Sequence, residues 1–148
     1  MSEEGQDRGR IVVGVDGSVG GRAALRWALE EAERRRTAVD VVLAWHIPYT
    51  FGGPTMTVRF DPEEEASYAK QQLDHLVADA VGWDHRELEV NQIVAEGAPT
   101  RILLDVAKGA DLLVVGSRGR GGFTGLLLGS VSQQCVHHGR CPVVVVPS

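Results

Sequence analysis

The feature that most constrains the fold is an alternation between short apolar runs and longer amphipathic segments. Four short apolar runs and one segment of alternating apolar and polar residues recur along the chain, and each is too short to be an ordinary helix. Between them lie segments with apolar residues at helical spacing, as at Ala24, Ala28 and Ala32. Strands that alternate with helices connect through right-handed crossovers and form a parallel sheet. The sequence therefore predicts a single-domain α/β fold, an open parallel five-stranded sheet of order 3-2-1-4-5 with helices on both faces.

The boundaries of these runs give the predicted elements. Residues 1–9 are predicted to form a disordered tail, and residues 10–148 form the single domain. Asp61 before Pro62, and the capping-box spacing of Ser130 and Gln133, mark two helix starts. Residues 47–60, with two prolines and two glycines, are predicted to form a long loop. The predicted strands are Arg10–Asp16, Val39–Trp45, Glu87–Val94, Asp111–Val115 and Cys141–Val146, and the predicted helices are Gly21–Arg36, Pro62–Val81, Pro99–Lys108 and Ser130–His138.

The charge balance argues against one large class of functions. The chain has 15 lysines and arginines against 20 acids, a formal net charge of −5. Nucleic-acid binding depends on a basic surface that releases counterions, so it is not expected here. No apolar run is long enough to span a membrane or to form a signal peptide, which predicts a cytoplasmic protein. Cys135 and Cys141 have no recognised redox or zinc spacing and are expected to be inert.

Glycine is the one residue type whose frequency in this chain is unusual. The chain has 18 glycines, about 12% of its residues against an average of about 7%. Ten of them fall in two windows, 14–21 and 116–129, which follow the first and fourth predicted strands. Those strands flank the point where the winding of the sheet reverses, and ligands bind at such a point beyond the carboxyl ends of the strands. The two windows are therefore expected to border one ligand site.

The second window has the chemistry of a phosphate site. Gly116 and the glycine three residues later allow successive backbone N–H groups to point into one concavity. Gly129 and Ser130 open a helix whose unsatisfied N–H groups favour an anion. Arg118 can form two hydrogen bonds to a phosphate, and the hydroxyls of Ser130 and Ser132 complete the predicted donors.

Two better-known nucleotide motifs are absent from the sequence. No Gly-x4-Gly-Lys-Ser/Thr segment supplies a P-loop lysine. A dinucleotide fingerprint would need a glycine where Thr124 stands, and Asp40 lies at the start of its predicted strand rather than at the ligand-facing end. NAD and FAD are therefore disfavoured.

The chain resembles the universal stress protein family, in its ATP-binding branch. The resemblance extends from the first predicted strand to the last, and the family signature Gly-x2-Gly-x9-Gly-Ser is matched at Gly116, Gly119, Gly129 and Ser130. It implies a Rossmann-like domain that binds ATP with Mg²⁺ and acts as a nucleotide-dependent regulatory or stress-response protein. The sequence shows no nucleophile–base pair, so no catalytic residue is assigned. The resemblance allows at most slow ATP hydrolysis or autophosphorylation.

The resemblance also implies roles for residues of both windows. Asp16 would hydrogen-bond the ribose or adenine, or help to place Mg²⁺ beside the phosphates. Ala44, at the end of the second strand, would offer backbone groups and an apolar wall to adenine. The roles of Gly121, Gly122, Phe123 and His46 stay open. The nucleotide-binding residues that the resemblance implies are Gly14, Asp16, Ala44, Gly116, Arg118, Gly119, Gly129, Ser130, Val131 and Ser132.

Alternative interpretations stay open from the sequence alone. One is an adenylate-forming or ATP-pyrophosphatase-type enzyme, which uses a similar sheet but places a Ser-Gly-Gly-x-Asp-Ser loop where this chain has Asp16–Gly21. Another is a protein-interaction module with a vestigial nucleotide pocket. Asp16 also has a simpler interpretation as a turn former or helix cap, and the glycine-rich loop as a flexible connection.

The last predicted strand carries an expectation about assembly. Val143–Val146 is an uninterrupted apolar run, and a strand of this kind at a sheet edge pairs readily with another chain. The resemblance implies that a second copy covers it across a two-fold axis. A homodimer through Val143–Val146 is therefore expected.

Overall fold

The strands form one parallel sheet in the predicted order. The computed structural model describes residues 9–46, 61–118 and 129–148. The order across the sheet is β3-β2-β1-β4-β5, and each neighbouring pair is parallel, as predicted. Of the predicted tail, Gly9 is described, and its carbonyl accepts a hydrogen bond from the Ala38 N–H at 3.3 Å. The strands are β1 (Arg10–Val15), β2 (Ala38–Trp45), β3 (Val90–Glu96), β4 (Leu112–Gly116) and β5 (Val143–Val146).

Four helices lie in the described ranges, and two of them are capped as their sequences require. They are α1 (Val19–Arg35), α2 (Pro62–Val81), α3 (Pro99–Val106) and α4 (Ser130–His138). The Ser18 side chain accepts from the Gly21 N–H at the start of α1, and Asp61 accepts from the Glu63 N–H at the start of α2. Within these described ranges, no helix is both long and apolar enough to cross a membrane.

The predicted capping box at the start of α4 is wrong. The N-cap residue is Gly129, and its carbonyl accepts from the Gln133 N–H at 3.0 Å. That bond makes Gln133 the fourth helical residue, one position too far along for its side chain to reach back in a capping box. The consequence is a helix start whose N-cap residue supplies no side-chain cap.

Several element boundaries differ from the prediction. In two cases a turn lies where the sequence predicts the strand or the helix to continue. The predicted strand Glu87–Val94 begins only at Val90, since a hydrogen-bonded turn in which the Leu88 N–H donates to the His85 carbonyl (3.1 Å) precedes it. Helix α3 ends at Val106, and Gly109 turns the chain with a φ of 78°. Strand β5 begins at Val143 rather than Cys141.

Two apolar clusters confirm that helices cover both faces of the sheet. On one face, Leu25 of α1 and Leu73 of α2 pack with alternate residues of β1 and β2, such as Val13 and Val41. On the other face, Leu103 of α3 and Cys135 of α4 pack with the remaining strand residues. Because β1 and β4 lie between the two clusters, their apolar residues are buried on both sides, which explains their unbroken apolar sequences.

A polar network closes the amino-terminal end of the sheet, opposite the expected ligand edge. Asp40 of β2 is 9% exposed and accepts hydrogen bonds from the Arg10 guanidinium (3.1 Å) and the Asn91 amide (3.0 Å). Arg10 also donates to the Lys108 carbonyl at 2.6 Å. One carboxylate thus connects β1, β2 and β3, and the position of Asp40 away from the ligand edge is as the sequence predicts.

We expect Asp40→Ala to lower the free energy of unfolding by about 1–3 kcal/mol, because it leaves Arg10 and Asn91 without their shared acceptor. Urea unfolding followed by circular dichroism measures the change. The matched control is Asp105→Ala, which removes a carboxylate from an exposed pair with Lys108 at 3.6 Å and is expected to change stability by about 0.5 kcal/mol or less. Equal effects of the two substitutions would contradict this account.

Candidate functional site

A cavity of about 760 Å³ opens at the carboxyl ends of the central strands, where both glycine windows meet. The volume lies in the range usual for small-molecule sites. All of the predicted site residues except Gly119 line it. Gly119 lies outside the described residues, as do Gly121, Gly122, Phe123 and Gly125. The predicted lining residues that the structure brings together are Gly14, Asp16, Ala44, Gly116, Arg118, Gly129, Ser130, Val131 and Ser132.

The start of α4 presents backbone donors to this cavity. Its first intrahelical bond is made by the Gln133 N–H, so the N–H groups of Ser130, Val131 and Ser132 precede the helical ladder. The N-cap residue, Gly129, makes no side-chain cap hydrogen bond to them. Gly129 at the N-cap has no side chain, and Ser130 is exposed. The arrangement suits an anion, because the N–H groups and the positive end of the helix dipole coincide.

Hydrogen bonds from Gly129 and Ser132 hold this helix start against the end of β4. The Gly129 N–H donates to the Ser117 carbonyl at 2.7 Å. The Ser132 hydroxyl lies 2.9 Å from the Gly129 carbonyl and 3.3 Å from the Ser117 carbonyl, and Ser132 is 2% exposed. A hydroxyl has one proton to donate, and here that proton is directed at a carbonyl. The Ser132 hydroxyl therefore positions the helix start in this structure, and its donation to a phosphate stays a prediction.

Asp16 organises the turn from β1 into α1. Its Oδ1 atom accepts from the Ser18 N–H at 2.9 Å and from the Ser18 hydroxyl. The same hydroxyl accepts from the Gly21 N–H at 3.1 Å. The carboxylate therefore fixes the side chain that caps α1 while it also lines the cavity. The turn-forming role of Asp16 is present, and it is compatible with a position beside a ligand.

The structure gives Gly116 a different reason to be glycine from the one predicted. A Cβ atom on Gly116 would lie 2.7 Å from the carbonyl carbon and oxygen of Gly20, and a Cβ atom on Gly20 would lie 2.3 Å from the Arg118 carbonyl oxygen. Both neighbours are backbone and cannot move aside as a side chain can. The first turn of α1 therefore packs directly on the end of β4. The spacing of glycines along the sequence does not predict this tertiary contact.

Four lining residues on α2 were missed by the sequence analysis, namely Ala69 and three larger residues beside it. Glu65, Tyr68 and Gln72 face the cavity from the first turns of this helix. Their i, i+3, i+7 spacing places them on one side of a helix, and that spacing is readable from the sequence. The direction in which α2 crosses the strand ends, which brings this side of the helix to the cavity, is not predicted by the sequence. His46, whose role the sequence left open, also lines the cavity and is exposed.

Neither cysteine is among the described residues that line the cavity. Cys135 is fully buried in α4, and burial raises the pKa of its thiol to about 11. Burial also raises the pKa of Cys141. Both thiols are therefore protonated at neutral pH, which agrees with the inert role expected for them. Among the described residues, no group of three or more His, Cys, Asp or Glu side chains forms a metal site.

Comparisons with known proteins agree on one family. The universal stress protein family model matches residues 8–147 of the chain. A universal stress protein of Mycolicibacterium smegmatis is 38% identical over 144 residues, which are 92% of this chain and 47% of that protein. The chain thus spans about half the length of the curated relatives it matches.

Solved structures of the same family share the fold. Universal stress protein UspA of Lactobacillus plantarum superposes with a TM-score of 0.75 at 23% identity, over 93% of this chain and 97% of that one. A universal stress protein in complex with cAMP gives 0.71 at 24%, over 95% and 97%. A universal stress protein of Archaeoglobus fulgidus in complex with dAMP gives 0.64 at 26%, over 92% and 95%.

We expect Gly116→Ala to destabilise the fold by about 1–3 kcal/mol, because the added methyl group overlaps the backbone of Gly20. Thermal or urea unfolding measures the loss. Ser130→Ala is the control, since Ser130 borders the same cavity but is exposed; its stability is expected to stay within about 0.5 kcal/mol of the parent. An unchanged midpoint for Gly116→Ala would show that α1 and β4 do not approach this closely.

Proposed function

Because the chain belongs to the universal stress protein family, we propose that it binds ATP in the cavity at the strand ends and acts as a nucleotide-dependent regulatory protein. The observation that carries this proposal is the start of α4, whose N-cap glycine offers no side-chain cap and which faces a cavity also lined by Asp16 and Arg118. Backbone N–H groups, a guanidinium and a carboxylate around one cavity form a donor and acceptor set that suits a nucleotide.

The proposed pose follows from the positions of these groups. The phosphates lie at the N–H groups of Ser130, Val131 and Ser132, with Arg118 beside them. The ribose lies near Gly14 and Asp16, and the adenine lies near Ala44 at the end of β2. The relative from Archaeoglobus fulgidus in complex with dAMP supports an adenine nucleotide as the ligand of this fold. Gly116 contributes by setting the distance between β4 and α1 rather than as a phosphate ligand.

Mg²⁺ fits this proposal as an ion carried by the phosphates. Mg²⁺ is commonly held by one or two carboxylates together with substrate phosphates and water. Asp16 supplies one carboxylate at the cavity, and no cluster of three ligating side chains lies in the described part of the chain. When bound, Mg²⁺ would neutralise phosphate charge, and Asp16 would help to place it.

We propose binding with at most slow turnover. Fast phosphoryl transfer needs an oriented water or hydroxyl and positive charge on the transferred phosphate. Among the described lining residues, Arg118 is the only lysine or arginine, and the Ser132 hydroxyl is engaged by backbone carbonyls. The ligand therefore acts chiefly by stabilising the conformation that binds it. A cytoplasmic location stays a prediction from the sequence.

We expect Ser130→Asp to weaken ATP binding by roughly tenfold to a hundredfold, because it replaces an exposed hydroxyl at the phosphate end with a negative charge. An acidic residue in the first turn favours the helix itself, so the fold should be retained. Isothermal titration calorimetry with Mg·ATP measures the affinity. Gln134→Asp is the matched control, since it adds the same charge to α4 at an exposed position outside the cavity lining.

Mass spectrometry of nucleotide released from freshly purified protein gives an independent test. Co-purified adenine nucleotide supports the proposal. If no nucleotide is released and Mg·ATP gives no calorimetric signal with the parent protein, the proposed function is wrong. Equal losses of affinity in Ser130→Asp and Gln134→Asp would show that net charge, rather than the start of α4, governs binding.

We further propose that the protein forms a homodimer through the outer edge of β5. Val143–Val146 pairs with β4 on one side and lies at the end of the sheet order. The Leu113 N–H donates to the Pro142 carbonyl and the Ser117 N–H to the Val146 carbonyl, both at 2.9 Å. Since bonding direction alternates along a strand, the backbone groups of Val145 point away from β4. An edge of this kind suits pairing with a second copy.

We expect Val145→Pro to give a folded monomer, because proline removes an outward N–H without removing a bond to β4. Val145→Ala is the control, since it shortens the same side chain but keeps the N–H, and it should remain dimeric. Light scattering measures the mass, and circular dichroism confirms folding. A dimeric Val145→Pro protein, or a monomeric parent protein, would exclude this interface.

A further inference from the structure

The sheet has a second open edge, at β3. No strand of the described residues lies beyond it, and its pairing with β2 continues without a bulge from Val90 to Glu96. This edge is longer than the one at β5, with seven residues against four. None of the described residues that line the cavity belongs to β3. A function of this edge would therefore be separate from nucleotide binding.

Hydrogen bonds to β2 show which backbone groups of β3 point outward. The Glu89 carbonyl accepts from the Val39 N–H at 2.9 Å, and the Gly97 N–H donates to the Trp45 carbonyl at 2.8 Å. Glu89 and Gly97 therefore face β2, and bonding direction alternates along a strand. The residues whose N–H and carbonyl groups point away from β2 are Val90, Gln92, Val94 and Glu96.

The usual devices that block an open edge are missing from β3. Edge strands are commonly protected by a proline, a lysine or a bulge. Strand β3 contains neither proline nor lysine, and its register with β2 is unbroken. The side chain of Gln92, near the middle of the strand, is exposed. The edge therefore has the backbone geometry that accepts an additional extended segment.

The charge around this edge determines which kind of segment it suits. Residues 61–96, which include α2 and β3, carry ten carboxylates against Lys70 and Arg86, a formal charge of −8, whereas the whole chain carries −5. Nine of the ten acids are exposed. Arg86 is engaged within the chain, because its guanidinium lies 3.9 Å from the centroid of the Trp83 ring and donates to the Trp83 carbonyl. Such a surface repels nucleic acids and anionic membranes and attracts a basic polypeptide.

We propose that the outer edge of β3 binds a basic, extended segment of a partner protein, which joins the five-stranded sheet as an additional strand. Backbone hydrogen bonds to the four outward residues provide affinity, and lysine or arginine side chains of the segment face the carboxylates beside the edge. A second copy of this chain is a poorer occupant. Antiparallel pairing of two β3 strands along their full length would bring Glu89 of one copy near Glu96 of the other, and like charges oppose such pairing.

A synthetic peptide tests the proposal on the full chain. The peptide has seven residues, the length of β3, with lysine alternating with valine and with both ends blocked. Amide hydrogen exchange followed by NMR reports which backbone groups it engages. At about ten times its dissociation constant, the peptide is expected to slow exchange at Gln92, Val94 and Glu96 by about tenfold. Exchange at Asn91 and Ile93 should not change, because these residues face β2. A peptide with glutamate in place of lysine is the control and should have no effect.

Two pairs of variants separate backbone pairing from charge, with peptide affinity measured by calorimetry. Gln92→Pro is expected to weaken binding by about tenfold, because proline removes an outward N–H without removing a bond to β2. Gln92→Ala keeps the N–H and should bind as the parent does; circular dichroism confirms folding. Glu96→Lys is expected to weaken binding by about threefold to tenfold. Glu30→Lys makes the same charge change at an exposed position on α1 and should stay within about twofold of the parent.

The exchange pattern decides the proposal even if Gln92→Pro does not fold. Peptide binding without slower exchange at Val94 and Glu96, equal binding of the two peptides, or no binding of the lysine peptide would overturn it. Equal losses in Glu96→Lys and Glu30→Lys would do the same, because net charge alone would then govern binding. Slow exchange at Val94 and Glu96 before peptide is added would show that the edge is already covered. The cover would be a second copy if dilution restores exchange, and another part of this chain if it does not.

Discussion

The arrangement of the site depends on the backbone contact between the first turn of α1 and the end of β4. Gly20 and Gly116 approach so closely that neither tolerates a Cβ atom, and the carbonyl of Arg118 lies against the same turn. The contact brings the segments after β1 and β4 to one edge, so that Asp16 and Arg118 line the same cavity. It also explains one glycine of each window, Gly20 and Gly116, since a close backbone approach needs glycine on both sides. A larger residue at either position would separate the two halves of the site.

The helix starts differ in whether an N-cap side chain already accepts from their backbone N–H groups. Ser18 and Asp61 supply side-chain acceptors to the donors of α1 and α2. At α4 the N-cap is a glycine, and the buried Ser132 hydroxyl bonds to carbonyls instead of capping an N–H. The N-cap residue of α4 therefore supplies no side-chain cap where an anion is proposed to bind, and a glycine in place of a serine costs only about a few tenths of a kcal/mol in an ordinary helix. Bound phosphate would restore that stabilisation.

The sequence predicted the topology well because periodicity and strand connection rules act locally. Strand order, both covered faces and the bounds of α2 and α4 followed from such patterns. The errors arise where two distant segments meet. The capping box failed because the Gly129 carbonyl, held near Ser117, accepts the Gln133 N–H and sets the helix start. The contact of Gly116 with Gly20 was not predicted because the two glycines are distant in sequence, and Tyr68 was missed because helix direction depends on packing.

The position of α4 connects the proposed nucleotide site to the proposed dimer edge. The helix begins at the cavity with Ser130 and ends at His138, and the chain then enters β5 at Val143. Its end is tightly packed: a Cβ atom on Gly139 would lie 2.6 Å from the Cys135 carbonyl oxygen and 2.9 Å from Val143. The end of α4 thus lies against the side chain of the first residue of β5, and a displacement of α4 would be felt at β5. A ligand that holds the start of α4 would favour one position of β5, and by linkage the dimer that uses this position would bind the ligand more tightly. If both proposals hold, nucleotide occupancy would thus be coupled to assembly through α4 without any turnover of the nucleotide.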